Sequence, residues 1–143
     1  MFDGWDVISA YTRAQAIADG ALVDLTDATD AGGRRLSPFR YPVAMTAAAF
    51  GRAVAAGGEW RRTAAGEEDL VLSGCQDFAG RVWDVLWLLV CAIRQAPAGD
   101  TVRFAVAVLT DGVRTRETVA LKSVCVPGDH GEPVITIMLT EED

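Results

Sequence analysis

The sequence predicts an α+β fold in which a central buried helix, joined by short helices, packs on a C-terminal three-stranded antiparallel meander. Two stretches carry that reading. From Asp77 to Pro97 runs the most apolar segment of the chain, with two of its four tryptophans. Beyond Pro97 the hydrophobic period changes from helical to alternating, the mark of half-buried strands. A third observation sets the scale: 143 residues without internal repeat or low-complexity tract fit one domain, 1–143, long enough to bury a core without disulfides or metals.

The central helix has recognisable ends. Asp77 can cap its start, Arg94 complements the dipole of its last turn, and Pro97 forbids continuation. Apolar residues from Val85 to Ile93 cover the whole circumference, which predicts burial on nearly all sides. The run is too short for a bilayer, which needs about 20 apolar residues.

Upstream, Thr12-Arg13-Ala14-Gln15 fits a capping box, and Gly20 supplies a left-handed stop, so a short helix with Ala14, Ile17 and Ala18 on its apolar side is expected. Ala21 to Thr26 reads as a short extended segment with Leu22 and Val23 inward. Thr26 to Tyr41, rich in Thr, Asp, Gly, Arg and Pro, reads as a long loop with room for one helical turn. Thr46 caps a second helix over Ala47 to Ala56, closed by Gly57-Gly58, with Phe50, Ala53 and Val54 toward the core. Glu59 to Gly74, mostly charged around Leu70-Val71-Leu72, is expected to be solvated.

Downstream, Val102, Phe104, Val106 and Val108 share one face of a strand that Asp111-Gly112 ends in a turn. Val119 to Val126 forms a second strand of mixed phase, which a bulge near Lys122-Ser123 or burial of both faces would explain. After the loop Pro127 to Pro133, a third strand turns Ile135, Ile137 and Leu139 inward.

Twenty acidic and thirteen basic residues give a net charge of −7, which argues against direct binding of a nucleic-acid backbone. Its plain meaning is solubility; its functional meaning is a surface that imitates nucleic acid toward a basic partner. Cys75, Cys91 and Cys125 are odd in number and widely spaced, unlike a disulfide framework or a zinc site, and indicate reduced thiols in a cytoplasmic protein. The acidic N-terminus, Met1-Phe2-Asp3-Gly4-Trp5-Asp6, has no secretion-signal pattern.

Chemistry-bearing groups are sparse. The one histidine, His130, stands between Asp129 and Glu132, where a proton donor or half a metal site is conceivable, but no second His and no Cys at ligand spacing complete it. No Ser stands in a nucleophile elbow, and Gly32-Gly33 and Gly57-Gly58 lack the Lys-Ser/Thr pair of a phosphate loop. No catalytic residue, metal or cofactor is therefore assigned. Asp84 is the sharper oddity, an ionisable group where the helix turns wholly apolar. Pairing with Arg81 is the plain explanation; the functional one is a polar anchor in a pocket floored by Trp83 and Trp87, one turn apart, with Tyr11 and Arg13 at its edge.

Three segments, Tyr11 to Asp24, Gly80 to Trp87 and Leu121 to Met138, resemble an uncharacterised domain-of-unknown-function family found in plasmids, phages and other mobile elements. The chain departs from the family's usual pattern by a longer Gly/Arg-rich insertion from Ala31 to Pro38. The resemblance implies an accessory protein of a mobile element, a setting in which small acidic proteins often inhibit restriction or CRISPR machinery.

The expected function is accordingly non-enzymatic: protein binding, with a nucleic-acid-binding host defence complex as partner and Glu67, Glu68, Asp69, Glu141, Glu142 and Asp143 as acidic contacts. A small-ligand binder or enzyme using Tyr11, Arg13, Trp83, Asp84 and Trp87 is the alternative, and a homo-oligomeric structural domain a third.

Overall fold

The computed structural model describes residues 12–55, 59–62, 64–66, 68–71, 78–96, 99–110 and 115–142. Along them run α1 (Arg13–Ala18), β1 (Leu22–Asp24), β2 (Val43–Thr46), α2 (Ala47–Ala53), β3 (Glu59–Arg62), β4 (Glu68–Val71), α3 (Phe78–Gln95), β5 (Thr101–Thr110), β6 (Thr115–Pro127) and β7 (Pro133–Leu139). The expected cap at Asp77, the stops at Pro97 and Gly57-Gly58, the turn at Asp111-Gly112 and Cys75 lie outside the described residues.

The class is α+β, with a mixed sheet. Five strands stand in the order β1-β2-β7-β6-β5. β5, β6 and β7 pair antiparallel in succession, but the sheet continues through β2, parallel to β7, to β1, antiparallel to β2. Sequence reading missed β2. Val43, Ala44 and Met45 are all fully buried, the unbroken apolar run of a strand covered on both faces, and so short a run cannot be told from the start of a helix by periodicity. A parallel neighbour needs a crossover, and here it runs from α2 through β6.

One face of the sheet carries the main core. Val43 and Met45, Ile135, Ile137 and Leu139, Val119 and Leu121, and Val106 and Val108 share one cluster with Ala49, Phe50, Ala53 and Val54 of the α2 segment and with Val82, Val85, Leu86 and Leu89 of α3. Thr46 caps α2 by accepting from the Ala49 N–H at 3.2 Å. The β6 register runs without interruption from Thr101↔Val124 to Thr110↔Thr115 and from Leu121↔Leu139 to Pro127↔Pro133, so the expected bulge is not there. Val119, Leu121 and Ser123 point to the core while Val124 and Val126 lie on the outer face, where Val126 is exposed.

One element is unexpected and one further expectation is corrected. Residues 59–71 include a hairpin, with Glu59↔Val71 through Arg62↔Glu68 paired antiparallel and Gly66 at φ +87° in the connection; Trp60 and Leu70-Val71 are strand formers despite the surrounding charge. The central helix is not buried all round. Val82, Val85, Leu86 and Leu89 have no exposure, but Trp83 and Leu88 are 42% and 41% exposed, because the sheet and α2 cover the opposite side of α3; Ile93, in the last turn of the packed side, is 41% exposed as well.

α1 lies on the opposite face of the sheet. Its capping box forms as expected, with Thr12 Oγ1 accepting from the Gln15 N–H at 3.0 Å and Gln15 Oε1 accepting from the Thr12 N–H at 2.9 Å. Gly20 ends it at φ +82°. Ala16 is its buried residue, whereas Ala14 and Ala18 are exposed, a correction to the expected apolar side.

A side chain at the first position of the β6–β7 turn would force its neighbours to move. The Gly128 N–H donates to the Glu132 carbonyl at 2.6 Å, and a Cβ there would meet Glu132 Oε1 and stand 2.8 Å from Cγ1 of Val134, which is buried. Gly128→Ala is expected to cost about 1–3 kcal/mol, the usual range for overpacking, measured by chemical denaturation. Gly32→Ala, whose nearest contact would be 3.4 Å away, is the control and is expected to cost far less.

Candidate functional site

At 100° per residue, α3 divides into two stripes. Arg81, Val82, Val85, Leu86 and Leu89 form the buried one. Gly80, Trp83, Asp84, Trp87, Leu88, Cys91 and Arg94 form the other, all exposed except the half-buried Trp87. The two indoles pack with centroids 4.9 Å apart and planes tilted by 42°, within the geometry of favourable aromatic pairs. The Trp87 Nε1 is buried and has no hydrogen-bond partner.

Asp84 and Arg81 are separated by this division. Arg81 is 7% exposed and donates from Nη1 to the Val54 carbonyl at 2.8 Å, holding an acceptor at the C-cap of α2 that the helix itself cannot satisfy. Burial lowers its pKa. Asp84 lies on the open stripe, where desolvation raises its carboxyl above the ordinary value with no hydrogen bond or ion pair to another described residue. The expected Arg81 partnership is thus replaced by an inward Arg and an outward Asp beside two tryptophans.

A cleft of about 340 Å³ opens next to Trp83, lined also by Asp30, Arg34, Leu36, Ala79 and Gly80. Its loop wall is ordered by Asp30, whose Oδ1 accepts from the Gly32 and Arg34 N–H groups at 2.9 Å each, an Asx turn that Asp ahead of Gly-Gly favours. Leu36, 4% exposed, anchors the loop in the core. The stretch from Ala31 to Pro38 is therefore built into the fold. Sequence reading passed over Asp30, Arg34 and Gly80; the Asp-x-Gly-Gly-Arg pattern was the available signal.

Arg13, expected beside Trp83 and Asp84, is elsewhere. Its Nη1 donates to Thr136 Oγ1 at 2.8 Å and its Nη2 to the Ile135 carbonyl at 2.9 Å. Thr136 faces away from Ile135 and Ile137 of the core, so the sheet lies between Arg13 and α3. Arg13 lines a second cavity of about 290 Å³ with Thr12, Leu22, Gly128, Asp129 and Val134; burial lowers its pKa, opposed by Asp24, Asp129 and Glu132. Trp83, Asp84 and Trp87 thus stand together, Arg13 stands apart, and Tyr11 lies outside the described residues.

The remaining candidates are engaged within the fold. Asp129, in the β6–β7 turn, caps α1, accepting from the Arg13 N–H at 2.8 Å and the Ala14 N–H at 3.1 Å, bonds that hold its carboxyl below the ordinary range. The exposed His130 donates its backbone N–H to Glu132 Oε2 at 3.0 Å. Glu142 Oε2 accepts from Thr46 Oγ1 at 2.7 Å and the Leu139 N–H at 2.8 Å, while Lys122 Nζ donates to the Glu142 carbonyl. Arg52 bridges Glu141 at 3.4 Å and Glu117 at 3.2 Å. Glu67, Asp143 and the side chains of Glu68 and Asp69 lie outside the described residues. Among the described residues no His, Cys, Asp or Glu group is placed to hold a metal ion, and no helix is long and apolar enough to cross a membrane.

These features define an α+β protein with a mixed five-stranded sheet whose longest described helix leaves an aromatic face open. The chain belongs to a family of unknown function (DUF6573), whose model matches residues 1–143. No curated protein and no solved structure matches it.

Two titrations separate the roles of these carboxylates. Asp129 has its pKa depressed in the fold, so its contribution is present above its ordinary value of 3.8 and lost as pH falls through the folded value. Asp129→Asn is expected to lower the midpoint of denaturation at neutral pH, with the gap from the parent protein closing in acid. Asp84 has the opposite sign: its pKa is raised in the fold, so its ionised form subtracts from stability above that value and the loss is relieved as pH falls through it. Asp84→Asn is expected to raise the melting temperature at neutral pH and leave it unchanged below the unfolded carboxylate range.

Proposed function

We propose that the chain is a non-enzymatic acidic accessory protein of a mobile element that acts by binding another protein, and that its partner belongs to a host defence complex of the CRISPR or restriction type. The observation that carries the binding reading is the open stripe of α3. Trp83 and Leu88 are each more than two-fifths exposed, with Trp87 half-buried beside them, on a helix whose opposite stripe is packed from Arg81 to Leu89. A surface with this many large apolar groups on one element is characteristic of interaction sites, where tryptophan is enriched among energetically dominant residues. The net charge of −7 supports a basic partner, such as a protein groove built for nucleic acid, with fast and salt-sensitive association.

A second reading rests on the cleft beside Trp83. Its volume of about 340 Å³ is at the lower end of small-ligand sites, and its lining mixes an indole, an aliphatic floor and both signs of charge. A metabolite thermal-shift screen addresses it, since a ligand bound by the folded state raises the melting temperature.

Tagged protein used as bait in a defence-competent host lysate is expected to retain a defence or DNA-processing protein at low salt. Trp83→Ser combined with Leu88→Ser, both at exposed positions, is expected to abolish retention while leaving the circular-dichroism melting curve within a few degrees of the parent. Retention unaffected by the double variant would remove α3 as the contact; capture of no such protein, or indifference to salt, would remove the host-defence reading.

A further inference from the structure

We propose that the partner group received by the open stripe of α3 is a cationic side chain, an arginine or lysine that lies against the Trp83 indole and pairs with the Asp84 carboxylate. This rests on the protein-binding reading above and names the chemistry that binding must satisfy. Asp84 is the one acidic residue on the stripe, set between Trp83, Trp87 and Leu88. Its basic neighbour, Arg81, is turned inward to the Val54 carbonyl. Arg94 is ten residues further along, about 15 Å at the helical rise.

Among the described residues no cation lies on either indole; Trp83 and Trp87 pack on each other. Arg34 and Asp30 line the adjoining cleft together and add no net charge to it, so among the described residues the Asp84 carboxylate makes this patch negative by one. Its carboxyl is already partly desolvated, which raises its pKa.

The alternatives fit worse. An apolar knob docked here would complete the desolvation of Asp84 and leave a charge buried without a partner, a heavy penalty. An anionic group would be repelled. A second copy of the chain, placed face to face, would bring a charge of −7 toward another. A guanidinium or ammonium alone gains from both features, through the negative face of the indole and the carboxylate beside it.

The test uses the full-length protein, labelled with nitrogen-15, and two peptides: acetyl-Gly-Arg-Gly-Arg-Gly-amide and the same sequence with citrulline, the neutral isostere of arginine. Indole N–H resonances are assigned with Trp83→Phe and Trp87→Phe. The arginine peptide is expected to shift the Trp83 indole and the Asp84 amide saturably at millimolar concentration. The citrulline peptide and the Asp84→Asn protein are each expected to bind at least about tenfold more weakly, the scale of losing one charge-assisted contact, and Asp84→Glu is expected to retain most of the affinity.

Equal binding of the two peptides, undiminished affinity in Asp84→Asn, or shifts confined to other surfaces would overturn the proposal, as would no shift with either peptide. Lysate capture keeps the two readings apart. Loss of capture in Trp83→Ser/Leu88→Ser but not in Asp84→Asn removes the cation and keeps the docking face. Capture indifferent to all three substitutions removes the docking face, while the peptide result still decides the cation site.

Discussion

The pairing of β2 with β7 is the constraint on which the rest of the structure depends. Among the described residues it is the one parallel contact of the five-stranded sheet, and it joins the first third of the chain to the last through Val43↔Ile135 and Met45↔Ile137. β1 reaches the sheet only through β2, and α2 starts directly from its end, with Thr46 serving as last strand residue and helix cap. Because Val43, Ala44 and Met45 are all without exposure, a slip by one residue would exchange their faces. The three side chains differ greatly in volume, so each must fill the space above or below the sheet that it fills now.

That central strand also gives α3 its two characters. The sheet face made by β2, β7, β6 and β5, with α2 beside it, accepts one stripe of the helix and is filled by Val82, Val85, Leu86 and Leu89. Arg81 fixes the rotation of α3 by reaching the Val54 carbonyl; a helix turned by one residue would lose that bond. With the rotation set, Trp83, Asp84, Trp87 and Leu88 have no place in the core. The same bond therefore explains a packed interior and an outward aromatic group.

Much of this was legible in the residues. The capping box at Thr12, the cap at Thr46, the glycine stop at Gly20, and the alternation through β5 and β7 each depend on local chemistry, and local chemistry is what a sequence displays. Trp83, Asp84 and Trp87 stood out for the same reason. What was hidden is non-local. The run Val43-Ala44-Met45 becomes a strand only because β7 arrives from ninety residues away, and Arg13 left the expected pocket because Thr136 and the Ile135 carbonyl claim its guanidinium. The apolar circumference of α3 suggested burial all round, but the number of covering elements, which no helical period encodes, decided otherwise.

α1 is attached in a different manner from everything else. Six residues long, it sits across the sheet from the main core and contributes nothing to that cluster. Besides its contact through Ala16, its fastenings are polar: Asp129 at its first amides and the Arg13 fork on β7. The sheet and the α2–α3 layer can keep their packing whether or not those fastenings hold. Amides of α1 should then open to solvent exchange on a shorter timescale than those of β2 and β7, making this helix a hinged appendage on the sheet.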